Sequence, residues 1–149
     1  MVGTYNSLKY KIDTNNINFD FNVEDYYIYG DKQLIIVLLS NIIDNSINVS
    51  DKFGNIVVHG LNDYESRKYI LKIKDYGNGI DKDDLDKILE PFYMVDKART
   101  RKNNGIGLGL SICKEICESH NINLNINSRI GEGTEVTLKF DREIIKDKK

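Results

Sequence analysis

Lys102-Asn103-Asn104-Gly105-Ile106-Gly107-Leu108-Gly109-Leu110-Ser111 runs without a break into an amphipathic segment. The alternating glycines let backbone N–H groups come within bonding distance of an anion, and a helix starting there aims its positive dipole end at the same point. Phosphate is the ligand that suits this chemistry. A dinucleotide fold would place its glycines directly after a buried strand. Here Lys97, Ala98, Arg99, Thr100, Arg101 and Lys102 come first, a run that no sheet interior would hold. A P-loop requires a Lys-Ser or Lys-Thr pair closing a longer glycine span, and the chain has none. A flexible loop is the other use of the same glycines.

Two further groups could complete such a site. Asn41, Asp44, Asn45 and Asn48 form a polar stripe at helical spacing in a segment otherwise built from Leu34, Ile35, Ile36, Leu38, Leu39, Ile42, Ile43 and Ile47. Asparagine is a poor helix former, so the stripe needs either solvent or a ligand, and a solvated face more often uses Lys and Glu. An asparagine oxygen is a hard, neutral donor suited to Mg²⁺ sharing its shell with water and phosphate, and Asn45 is the expected ligand. Asp75, in Lys74-Asp75-Tyr76-Gly77-Asn78-Gly79-Ile80, lies where a strand pattern ends. It can accept a hydrogen bond from the exocyclic amine of adenine, whereas the carbonyl of guanine would meet it with like polarity. An Asp-x-Gly turn is the alternative.

The elements that must position these groups follow from periodicity and punctuation. Residues 17–29 read as strand, ended by Gly30; Asp31 caps a helix to about Ser50; strands are expected at 55–59 and 69–74, joined by a polar turn at 60–63. Asp81 opens a short acidic helix that ends near Glu90, before the only proline, Pro91. A charged loop from 92 to 107, a helix over 108–120 and two strands at 123–127 and 134–140 close the order. This pattern predicts an α+β two-layer sandwich. Residues 1–16 read as a linker and 142–149 as a frayed tail.

With 149 residues and 40% hydrophobic content, one domain is expected. The 21 basic and 23 acidic side chains nearly balance, so no nucleic-acid or membrane-surface partner is indicated. The longest apolar run, from Leu34 to Ile43, is too short to span a bilayer, and no signal-peptide pattern opens the chain. Cys113 and Cys117, four apart on one helix, suit burial as small hydrophobes in a reducing cytoplasm.

As an ordered set, five motifs resemble the ATP-binding domain of sensor histidine kinases. Asn41-Ile-Ile-Asp-Asn45-Ser is similar to its N box, Asp75-x-Gly77-x-Gly79-Ile80 to its first glycine box and Pro91-Phe92-Tyr93 to its F box. Gly105-x-Gly107-x-Gly109-Leu110 is similar to its second glycine box, and Gly131-x-Gly133-Thr134 to its final glycine-threonine. The resemblance spans residues 17–141. It implies the Bergerat fold, shared with gyrase B, large heat-shock chaperones and mismatch-repair ATPases: a mixed, mostly antiparallel sheet packed against three helices, with an ATP lid.

Carried over to this chain, it implies that Asn45 holds Mg²⁺, Asn41 contacts the phosphate region and Asp75 reads adenine, helped through water by Thr134. Gly77 and Gly79 would allow close passage by the base. Gly105, Gly107, Gly109 and Leu110 would hold the triphosphate, and Arg99 would neutralise the transferring γ-phosphate. Two usual basic positions of the family are Asn48 and Met94 here, which implies weaker binding or slower transfer.

Bergerat ATPases carry a glutamate where this chain has Asn41, and an amide cannot activate water as a base. The implied reaction is transfer of the γ-phosphate to a histidine on a separate dimerisation domain, with a response regulator downstream. His59 and His120 do not lie in a His-Glu-x-Arg-type acceptor helix. Any membrane anchor would belong to other segments of a longer parent. A stand-alone kinase or ATPase of the same fold, or a degenerate nucleotide-binding module, is the alternative.

Overall fold

The computed structural model describes residues 2–95 and 107–141. Its elements are α1 (Val2–Thr14), β1 (Asn18–Val23), α2 (Lys32–Val49), β2 (Asn55–Asp63), β3 (Lys68–Asp75), α3 (Lys82–Leu85), α4 (Gly109–Ser119), β4 (Asn123–Arg129) and β5 (Gly133–Asp141). The five strands form one sheet in the order β1-β2-β3-β5-β4. β1 runs parallel to β2, and every other pair is antiparallel. This is the α+β sandwich that the element order predicts, with a mixed, mostly antiparallel sheet.

Strand alternation decides which side chains face the helices. Tyr69, Leu71, Ile73 and Asp75 of β3 share the buried parity with Ile56 and Val58 of β2 and with Val136, Leu138 and Phe140 of β5. Against them pack Leu38, Leu39, Ile42, Ile43 and Ile47 of α2 and Cys113, Ile116 and Cys117 of α4. The Asp31 carboxylate caps α2 by accepting from the amides of Gln33 (2.8 Å) and Leu34 (3.1 Å), as its position before the apolar segment predicts.

Four local expectations change, the first being that α3 is a single turn ending at Leu85 rather than a helix reaching Glu90. Residues 1–16 are not a plain linker: α1 contributes Leu8 and Ile12 to the core, and Lys11 pairs with Asp44 of α2. The β2–β3 turn lies at 64–67 rather than 60–63, because the Asp63 carboxylate accepts from the amides of Glu65 and Ser66 and so turns the chain four residues later. β1 ends at Val23 because Glu24 is diverted: its carboxylate accepts from the Asn62 backbone and side-chain amides, and its carbonyl from the Tyr69 hydroxyl. The tail at 142–149 lies outside the described residues.

Candidate functional site

α2 supplies the centre of the site. Asn41 and Asn45 are one turn apart and half-buried, and both face the start of α4: a Cβ added at Gly109 would stand 3.7 Å from Asn41 Oδ1 and 3.9 Å from Asn45 Nδ2. A larger residue at 109 would fill the space between the two amides and the helix. The polar stripe therefore divides. Asp44 turns toward α1 and its Lys11, and Asn48 is exposed.

α4 begins differently from α2 and α3. Those two have aspartate caps, Asp31 and Asp81, whose carboxylates accept first-turn amides. α4 begins after Leu108 with no side-chain cap, so its first-turn amides, Leu110 among them, are left for another acceptor beside Asn41 and Asn45. Gly107 has a φ of +74°, and its carbonyl accepts from the Phe92 amide at 2.9 Å. A Cβ there would lie 2.8 Å from the Tyr93 carbonyl, so this glycine lets the chain return against the segment after Pro91. Gly105 and Arg99 lie outside the described residues.

Asp75 continues the inward parity of β3 and ends up only 3% exposed. Its Oδ1 accepts from the amides of Gly77 (3.0 Å) and Thr134 (3.1 Å), and the Ser46 hydroxyl is a third partner. Burial pushes the carboxyl above the ordinary aspartate range, against the opposing pull of these three donors. Asp75 thus makes the Asp-x-Gly turn and is also a buried acceptor. Ser46 follows Asn45 directly in α2, so Asp75 and Asn45 flank the same turn of helix.

The glycines around Asp75 are required chiefly by the protein's own backbone. A Cβ on Gly77 would meet the Val49 carbonyl at 2.6 Å; on Gly79 (φ +71°) it would meet the Arg129 carbonyl at 2.0 Å; on Gly133 (φ +89°) it would meet the Asp75 carbonyl at 2.2 Å. The loop after β3 is pressed between the end of α2 and the β4–β5 turn. What the structure shows for Gly77 and Gly79 is this packing role.

Two polar side chains beside Asp75 and Thr134 carry contacts that the motifs do not specify, Ser46 and Ser128. Each interrupts an apolar line: Ser46 lies one turn after Ile42 on the buried face of α2, and Ser128 continues the inward series Leu124, Ile126 of β4. A polar residue at core parity needs a partner, and that signal was available.

His120 has a structural role. Its Nε2 accepts the Asp31 amide at 3.1 Å while Nδ1 donates to the Ile116 carbonyl at 2.9 Å, which ties the end of α4 to the start of α2 in the neutral tautomer. His59 is exposed on β2.

The model of the family described as histidine kinase-, DNA gyrase B- and HSP90-like ATPases matches residues 30–144. The chain belongs to this family. ATP is accordingly the nucleotide of this domain. Among similar proteins, the sensor histidine kinase WalK of Bacillus subtilis is 41% identical over 115 residues, covering 76% of this chain and 19% of WalK. Sensor histidine kinase YkoH of the same organism is 34% identical over 128 residues, 86% of this chain and 27% of YkoH. The chain thus spans well under a third of the length of either relative. Among solved structures, a mycobacterial sensor histidine kinase, MprB, superposes with a TM-score of 0.79 at 22% identity, covering 95% of this chain and 93% of that one. The catalytic domain of histidine kinase ThkA gives 0.77 at 26% identity, covering 93% and 88%. These likenesses bear out the Bergerat fold and the histidine kinase resemblance.

Proposed function

We propose that this chain is a single ATP-binding catalytic domain that transfers the γ-phosphate of Mg-ATP to a histidine on a separate dimerisation domain, within a cytoplasmic two-component phosphorelay whose next partner is a response regulator. The observation that carries this reading is the pair Asn41 and Asn45 facing the uncapped start of α4, with Asp75 held by the neighbouring Ser46. Phosphate and base features then lie on either side of one helical turn.

In this reading Asp75 reads adenine with help from Thr134. Gly107, Gly109 and Leu110, with Gly105, hold the triphosphate, and Arg99 neutralises the transferring group. Asn45 is the Mg²⁺ ligand. Among the described residues no group of three His, Cys, Asp or Glu forms a protein cage for a metal. One amide oxygen beside phosphates fits Mg²⁺, which retains water and is held largely by the nucleotide. When bound, the ion would neutralise phosphate charge; the chain's own residues orient the nucleotide and exclude water.

Asn41 is the reason to prefer transfer over hydrolysis, since its amide cannot take a proton from water. An acceptor surface adjoins it. Val37 lies one turn before Asn41 on α2, and Ile112 one turn after Gly109 on α4; both are exposed, as is Leu34. An apolar helix face docked there would bring its histidine to the phosphate mouth. Among the described residues no helix is long and apolar enough to cross a membrane.

The test is a transfer assay with radiolabelled ATP and the histidine-bearing dimerisation domain of a sensor histidine kinase. Label appearing on the histidine supports the reading. ATP binding without transfer would favour a nucleotide-binding module, consistent with Asn48 and Met94 in place of basic residues, and rapid hydrolysis without acceptor would favour an ATPase.

A further inference from the structure

Ser128 makes three short contacts with one hydroxyl. Its Oγ accepts from the Ile80 amide at 2.8 Å, lies 3.0 Å from the Gly133 carbonyl and lies 2.8 Å from Thr134 Oγ1. These partners belong to the two segments that enclose Asp75, the loop after β3 and the β4–β5 turn. The segments touch so closely that Gly79 and Gly133 admit no side chain.

Proton counting fixes the direction of these bonds. A serine hydroxyl has one proton and two lone pairs. The Gly133 carbonyl can only accept, so the Ser128 proton goes there. The Ile80 amide can only donate, so it takes one lone pair. The remaining lone pair faces Thr134, whose own proton must therefore point back to Ser128. Thr134 is left with lone pairs alone to offer a ligand, and its backbone amide is already committed to Asp75.

We infer that Ser128 is a positioning residue for base selection: by taking the Thr134 proton it leaves both Thr134 and Asp75 as acceptors, a wall that accepts the amine of adenine and opposes the carbonyl of guanine. The inference rests on the adenine reading of Asp75. Without Ser128 the Thr134 hydroxyl is free to rotate and donate, and the Ile80 amide loses its partner. Selectivity then weakens as well as affinity, because a site that can donate no longer rejects a carbonyl.

Titration calorimetry with ATP and GTP, each with Mg²⁺, tests this on the whole chain and on Ser128→Ala, Ser128→Thr and Thr134→Val. Ser128→Ala is expected to shrink the ATP-over-GTP preference about tenfold while ATP affinity falls by less than that, and Ser128→Thr to restore the preference. Thr134→Val is expected to lose ATP affinity without gaining GTP, and adding Ser128→Ala to it to change the preference no further. An unchanged preference in folded Ser128→Ala, or an equal loss for both nucleotides, overturns the inference alone. Should Ser128→Ala not fold, Ser128→Cys must show a smaller change of the same sign, and none would overturn it. A wild-type chain with no preference for ATP overturns the adenine reading and this inference together.

Discussion

Replacing Asp75 by Asn separates the binding role proposed for this residue from its structural role. The amide oxygen can still accept from Gly77 and Thr134 at the 3.0 and 3.1 Å now seen, and the side chain keeps its volume. What is lost is the charge and the second acceptor oxygen, which becomes an amide donor. If Asp75 accepts from the adenine amine, a charge-assisted bond worth about 1.5–3 kcal/mol disappears, which is about 10- to 100-fold in ATP affinity. Stability should move the other way. Burial raises the Asp75 carboxyl, so the folded chain binds its proton more tightly than the unfolded chain. As pH rises from the ordinary aspartate value through the raised one, the unfolded state gains relative stability, and at neutral pH the ionised, desolvated carboxylate is a net cost to the fold. Asp75→Asn removes that cost. Without nucleotide its melting temperature at pH 7 should equal or exceed that of the wild type, and the gap should close as pH falls below the ordinary aspartate range. Calorimetry with ATP and thermal scans across pH give both numbers. Unchanged affinity would refute the base-reading role, and a neutral-pH melting temperature well below wild type would refute the assignment of the carboxylate as a desolvated cost.

Other substitutions probe the supports of the site. Gly79→Ala, forced to φ +71° with its Cβ 2.0 Å from the Arg129 carbonyl, should destabilise the fold by more than about 2 kcal/mol in urea unfolding. Removing residues 1–14 uncovers the partners of Leu8 and Ile12, which are 7% and 3% exposed, and should cost about 3–6 kcal/mol by the same measurement. Thr4→Val should raise the melting temperature, since the buried Thr4 hydroxyl has no hydrogen-bond partner among the described residues and such a group costs about 1–3 kcal/mol. Burial pushes the Cys113 thiol up to about 12 and the Cys117 thiol to about 11. At pH 8 neither should react with a thiol reagent at a rate above that of global unfolding.

Much of this molecule was legible from local patterns. Apolar spacing and Asp31 marked α2 to within a residue or so, because a cap and an amphipathic face act over one or two turns. Alternation marked β3, β4 and β5 for the same reason, and the glycine, asparagine and aspartate motifs in order pointed to one nucleotide site. α1 was hidden because its first turn lacks acidic residues, so no charge signal marks its start. The late β2–β3 turn depended on one carboxylate choosing its own downstream amides.

What the residue order determined by itself is the set of elements and the kinds of chemistry available at 41, 45, 75 and the glycines, since propensity, capping and side-chain type are properties of short segments. Tertiary structure alone decided which polar groups meet. It sent Asp44 to Lys11 and left Asn41 and Asn45 against Gly109. It joined Asp75 to Thr134 across 59 residues and Ile80 to Ser128 across 48. It also laid β1 parallel beside β2. Those outcomes depend on which donors and acceptors are brought together once the core closes, a constraint that acts through space and leaves little trace along the chain beyond strand parity.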